Sequence, residues 1–122
     1  MPLPTKADIE AGGRGYRPDP ADSLSLHADT YVTDSWYPAD LDAIFTRSWQ
    51  CVCRLEQVAG PGDNVTAPVA GNPVLLAGDP QGGLRAFYNV CQHPAHKLLT
   101  GSGRTNTIKC PYHARTYSWT TN

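Results

Sequence analysis

The sequence predicts a mainly β domain: small antiparallel sheets, one short N-terminal helix, and two loops projecting from one end. Three observations carry this. Eleven glycines and eleven prolines in 122 residues cut the chain into short pieces. The apolar runs are brief and bounded by turn residues, and few follow a helical period. Two short Cys/His segments, at 91–93 and 110–113, each follow a strand-like run. At this length the chain holds one domain at most.

Residues 1–30 are rich in Gly, Pro, Asp and Ala without a strong apolar period, and read as an extended leader. Residues 31–122 then form the domain. Ser35 or Asp34 is placed to cap a helix with Pro38 in its first turn. Ala39 to Trp49 sets Leu41, Ile44, Phe45 and Ser48 on one stripe. Strands are expected at 49–56, 63–69, 72–77 and 84–89. Gly60-Pro-Gly-Asp63 reads as a turn, Gly71-Asn72 as a tight hairpin, and Gly78 to Gly83 as a longer one. Residues 107–109 lead into the second Cys/His segment and 116–120 lead out. Residues 100–106 read as a polar connector.

Ten basic and eleven acidic residues leave a net charge of −1, which gives no sign of a nucleic-acid or anionic-membrane partner. No apolar run is long enough to span a bilayer. There is no charged, apolar and cleavable leader, so a cytoplasmic location with reduced thiols is expected.

The chemistry lies in Cys91-Gln-His93 and, with sixteen residues intervening, Cys110-Pro-Tyr-His113. Each short knuckle supplies one sulfur and one nitrogen. A binuclear iron–sulfur cluster of the Rieske type requires that set, two thiolates on one iron and two imidazoles on the other. Neutral imidazoles bring no charge, so the iron they bind is the more easily reduced. Zinc also takes two cysteines and two histidines, although its common finger pairs Cys with Cys and His with His. Cys51 and Cys53, two apart in the first expected strand, read as core packing. His96 and His27 are not assigned as ligands.

The run from Asn89 to Gly103, with Cys110-Pro-Tyr-His-Ala-Arg-Thr-Tyr117, resembles the Rieske domain of ring-hydroxylating oxygenase alpha subunits. More narrowly it resembles members acting on aromatic rings or on quaternary amines such as carnitine and choline. The resemblance runs from about Leu26 to the C-terminus. It implies a Rieske iron–sulfur fold with a [2Fe-2S] cluster on Cys91, His93, Cys110 and His113. It also implies electrons from a ferredoxin or flavin reductase, and homo-oligomeric full-length relatives. Many members carry Arg where this chain has Pro94, and Trp where it has Arg115. High-potential respiratory members tie their knuckles with a disulfide; Gln92 and Tyr112 stand at those positions here. Tyr117 remains as a hydroxyl donor toward a cysteine sulfur.

The sequence stops nine residues after His113, where the resemblance implies further strands returning to the sheet. The expectation is therefore a truncated alpha subunit, lacking those C-terminal strands and the catalytic domain with its mononuclear iron. Two alternatives stand beside it: a free-standing Rieske-type ferredoxin, and a zinc-stabilised interaction module.

Overall fold

The computed structural model describes residues 4–119. The chain divides into two compact units, 1–49 and 50–122. The first is helical. Helix α1, Lys6–Gly12, opens with a capping box: Thr5 Oγ1 accepts the Asp8 backbone N–H, and Asp8 Oδ2 accepts that of Thr5. This helix lies within the segment expected to be extended. Its signal, Thr followed three residues later by an acid, is local and was masked by the Gly/Pro-rich composition around it. Gly12, the last residue of α1, lets Thr30 and Trp36 approach so closely that a Cβ there would collide with Thr30 and press on Trp36. Two short helices follow, α2 at Asp29–Val32 and α3 at Trp36–Asp40, so the described residues of this unit include three α-helices where one helix was expected. Helix α3 runs into a wider π turn at Leu41–Phe45 and stops short of Trp49. Neither Asp34 nor Ser35 supplies a side-chain cap. Ile44 and Phe45 remain exposed, so the expected stripe is not a buried face.

The second unit is a four-stranded antiparallel sheet and a two-stranded one. Strands β1 (Asp63–Val69), β2 (Asn72–Gly78) and β3 (Leu84–Tyr88) fall where the sequence placed them, and β4 (Ser102–Arg104) pairs with the free edge of β1. The order is β3-β2-β1-β4. Strands β5 (Ile108–Lys109) and β6 (Thr116–Tyr117) form the small sheet. The strand expected at 116–120 ends at Tyr117, since Ser118 and Trp119 leave the ladder; Thr120 lies outside the described residues.

Four expectations are corrected. Residues 49–56 form no strand. Gln57 Oε1 captures the Arg54 backbone N–H, and Leu55–Val58 closes into a 3-10 turn instead of a ladder. Cys51 is consequently exposed and Cys53 only half-buried, and neither belongs to the core that was expected to hold them. The first hairpin turns at Ala70-Gly71, one residue early, with both at positive φ (47° and 78°) as its two-residue loop demands. The connector 100–106 contains β4, whose Arg104 grips Asp63 of β1 through Nε–Oδ1 at 2.7 Å.

The core gathers on one side of the large sheet. Leu75 and Ala77, alternate residues of β2, are fully buried against Leu98, Ile108 and Trp119. Cys91 and Cys110 belong to the same cluster, each 2% exposed. Trp119 Nε1 donates to Thr105 O at 2.9 Å, which satisfies its one polar atom. Gly62, at φ 78°, lets the chain pass Thr105 so closely that a Cβ would overlap its carbonyl.

Candidate metal centre

Each knuckle is a loop pinched at its base by one antiparallel pair. Val90 pairs with Lys97 around residues 91–96, and Lys109 with Thr116 around residues 110–115. The closing hydrogen bond is the same in both. Cys91 N donates to His96 O at 2.7 Å, and Cys110 N to Arg115 O at 2.8 Å. This device turns both cysteines into the core and leaves both histidines outside it. Reversing direction so tightly requires positive φ, and here non-glycine residues supply it: Pro94 (22°), Ala95 (53°) and Ala114 (62°).

Asn89 anchors the first knuckle. It is 1% exposed, its Nδ2 donates to Leu99 O at 2.8 Å, and its Oδ1 accepts the Leu99 N–H at 3.0 Å. Both strands flanking the knuckle are clipped together by one amide. Sequence reasoning passed over this residue, because nothing in the pattern separates a buried clip from a turn asparagine.

The four candidate donors come together as two pairs. Cys91 and Cys110 lie together on the buried side, in the same core cluster. His93 and His113 face each other on the exposed side, with Nδ1 to Nδ1 at 3.2 Å and ring centroids 5.0 Å apart. Two nitrogens on one tetrahedral metal at about 2.1 Å each lie about 3.4 Å apart. The observed spacing suits a shared metal as well as a hydrogen bond. Among the described residues, no three His, Cys, Asp or Glu side chains converge on a single ion. His96 instead stacks on Tyr112, and His27 pairs with Asp29; neither joins the donors.

Tyr117 serves the sulfur side, as the sequence suggested. Its hydroxyl accepts the Gln92 backbone N–H at 3.0 Å, which leaves its proton for Cys91 Sγ, also at 3.0 Å. The Tyr117 hydroxyl holds the Cys91 thiol below its ordinary pKa, and a backbone N–H near His93, the Cys110 thiol and the Arg115 charge act in the same direction. Burial opposes them. The same bond to Cys91 raises the Tyr117 pKa. An acidified thiol and a phenol that keeps its proton are what a thiolate ligand with one donor needs.

Small antiparallel sheets presenting paired thiols and paired imidazoles from two knuckles define an iron–sulfur electron-transfer domain. Residues 48–122 match the model of the Rieske [2Fe-2S] domain, and the chain belongs to that family. It is 42% identical over 88 residues to the carnitine monooxygenase oxygenase subunit of Acinetobacter baumannii, covering 71% of this chain and 24% of that one. It is 36% identical over 98 residues to the chloroplastic choline monooxygenase of Beta vulgaris, covering 80% and 22%. The solved quaternary ammonium Rieske monooxygenase CntA with L-carnitine is 40% identical over 75% of this chain and 26% of its own, with a TM-score of 0.72. The chain thus spans about a quarter of the length of these relatives. A Rieske domain implies a [2Fe-2S] cluster, and this one is homologous to the electron-transfer domain of Rieske oxygenases.

Proposed function

We propose that this chain is the electron-transfer portion of a Rieske non-heme iron oxygenase, with Cys91 and Cys110 on one iron and His93 and His113 on the other. The arrangement of the donors as a buried sulfur pair and an exposed imidazole pair carries this reading. When bound, the cluster stores one electron at a time. The chain's own residues hold it between the knuckles, keep its sulfur side dry within the core, and donate one hydrogen bond from Tyr117. The imidazole edge is open to solvent and offers the route by which electrons leave.

The donor would be a ferredoxin or flavin reductase, and the acceptor a mononuclear iron held outside these residues. A cytoplasmic location, where thiols stay reduced, accords with the four free cysteines. The quaternary ammonium substrates named for the relatives, carnitine and choline, are the class to test first for the whole enzyme. A free-standing ferredoxin shares every feature of the site and differs only in its acceptor.

The test is anaerobic loading of the chain with iron and sulfide, followed by stepwise reduction. A visible charge-transfer band that bleaches on reduction, with a paramagnetic signal lost in His93→Ala and His113→Ala, is the expected result. Stoichiometric zinc without colour would replace this reading with that of a zinc-stabilised module.

A further inference from the structure

The knuckles meet at a place beyond the donor pairs. Arg115 Nη2, on the second knuckle, donates to Gln92 Oε1, on the first, at 3.2 Å. The Arg115 guanidinium carbon also lies 5.5 Å from the centroid of the Tyr117 ring. That ring carries the hydroxyl that touches Cys91 Sγ. One cation therefore reaches the sulfur side twice: through the amide next to Cys91, and across the face of the phenol bonded to its sulfur. A guanidinium suits both contacts, because its planar fork donates at the edge and stacks on its face.

We infer that Arg115 is a positioning residue of the cluster site: it fastens one knuckle to the other through Gln92 and holds a positive charge over the Tyr117 ring, favouring the reduced state. This rests on the cluster reading proposed above. Reduction adds one electron, drawn from the external reductant, and leaves the protein's covalent bonds unchanged. The added negative charge sits near a fixed cation, so reduction becomes easier. Arg115 is exposed, so the charge effect is subject to screening over a Debye length of about 8 Å at physiological salt. The hydrogen-bonded link to Gln92 is far less sensitive to salt. The two contributions can thus be separated.

The experiment uses the full chain loaded with iron and sulfide. It compares Arg115→Gln, Arg115→Lys and Gln92→Ala by redox titration at low and high salt, and by the rate at which a chelator bleaches the visible band. Arg115→Gln is expected to disfavour reduction by about three- to tenfold, tenfold being about 59 mV for one electron. The shift should shrink at high salt. Arg115→Lys should keep most of the midpoint yet release iron several-fold faster, as should Gln92→Ala. An unchanged midpoint in Arg115→Gln at low salt overturns the inference alone. So does an Arg115→Lys midpoint that falls as far as that of Arg115→Gln. A wild-type chain that loads no cluster overturns this inference and the proposed function together.

Discussion

Ala114 and Ala95 adopt the left-handed conformation at φ 62° and 53°, where a Cβ costs roughly 1–2 kcal/mol. Two strained residues, one in each short loop, indicate that the closing hydrogen bonds and the buried cysteines impose the loop shape. Ala114→Gly should therefore stabilise the fold by about 0.5–1 kcal/mol, the left-handed cost less glycine's own entropy. Chemical denaturation measures this, and a loss of stability would mean that Ala114 is relaxed. Asn89→Ala should act oppositely, costing about 2 kcal/mol, because it leaves a buried N–H and C=O of Leu99 without partners. Tyr117→Phe removes the one hydroxyl on Cys91 Sγ and leaves the ring in place. Its midpoint should fall by on the order of 60 mV, tenfold in a one-electron equilibrium, in a redox titration against wild type. At this scale the sequence was legible where chemistry dictates residue type: the donors and Tyr117 are identifiable as sulfur, imidazole and hydroxyl. The strain at Ala114 and the Asn89 clip were not, since a backbone angle and a paired amide exist only once the loop has closed.

Among the elements, β1, β2 and β3 were legible because turn residues bracket each and β2 alternates into the core at Leu75 and Ala77. Strand β4 was not, because Ser-Gly-Arg has no apolar face. An edge strand buries little, and this one is held by its ladder to β1 and by the Arg104 fork on Asp63. Residues 49–56 failed in the opposite sense. Their composition suits a strand, yet local bonds at Arg54 and Gln57 closed a turn first. The β2–β3 hairpin depends on Asp79, which is buried. Its carboxylate accepts the N–H groups of Gly83 (2.7 Å) and Gln81 (2.9 Å) and pairs with Arg85 Nε at 2.8 Å. The Gly83 N–H, then Arg85, hold its pKa below the ordinary carboxylate value, against the opposing effect of burial. In the folded state the group therefore stays ionised at a pH where the unfolded chain has taken up a proton. The stability it contributes is full above the unfolded pKa near 3.9 and is lost as pH falls through the lower folded value. Asp63, with its pKa lowered first by Arg104, has the same sign. Denaturation midpoints measured from pH 6 down to 2 should fall steeply in this acidic window, and Asp79→Asn should reduce that slope. A variant with the full wild-type slope would show that Asp79 titrates as it does in the unfolded chain.

For the whole molecule, folding and cluster binding share one location. The buried apolar residues described in the second unit include Leu75, Ala77, Leu98, Ile108 and Trp119, and the two candidate ligand thiols pack directly among them. A core this small contributes modest stability. A group bound only by the folded chain adds its binding free energy to folding. Without it, the contacts described between the knuckles are Gln92–Arg115, the Tyr117 hydroxyl on Gln92 and Cys91, the stacked His96 and Tyr112, and the imidazole pair. The knuckles should then be the first region to open, because they are exposed, strained and held at their bases by one bridge and one two-residue ladder. Thermal melts of the loaded and stripped chain, run anaerobically and monitored by far-ultraviolet dichroism, test this. The loaded chain should unfold in one cooperative step that coincides with loss of the visible band, and the stripped chain should melt well below it or without cooperativity. Amide exchange should show protection at 91–97 and 110–116 falling first on stripping, while the β1–β2 ladder retains more. Coincident melts with equal protection in both forms would mean that the sheet and its core alone hold the knuckles in place, and the coupling between cluster and fold would be refuted.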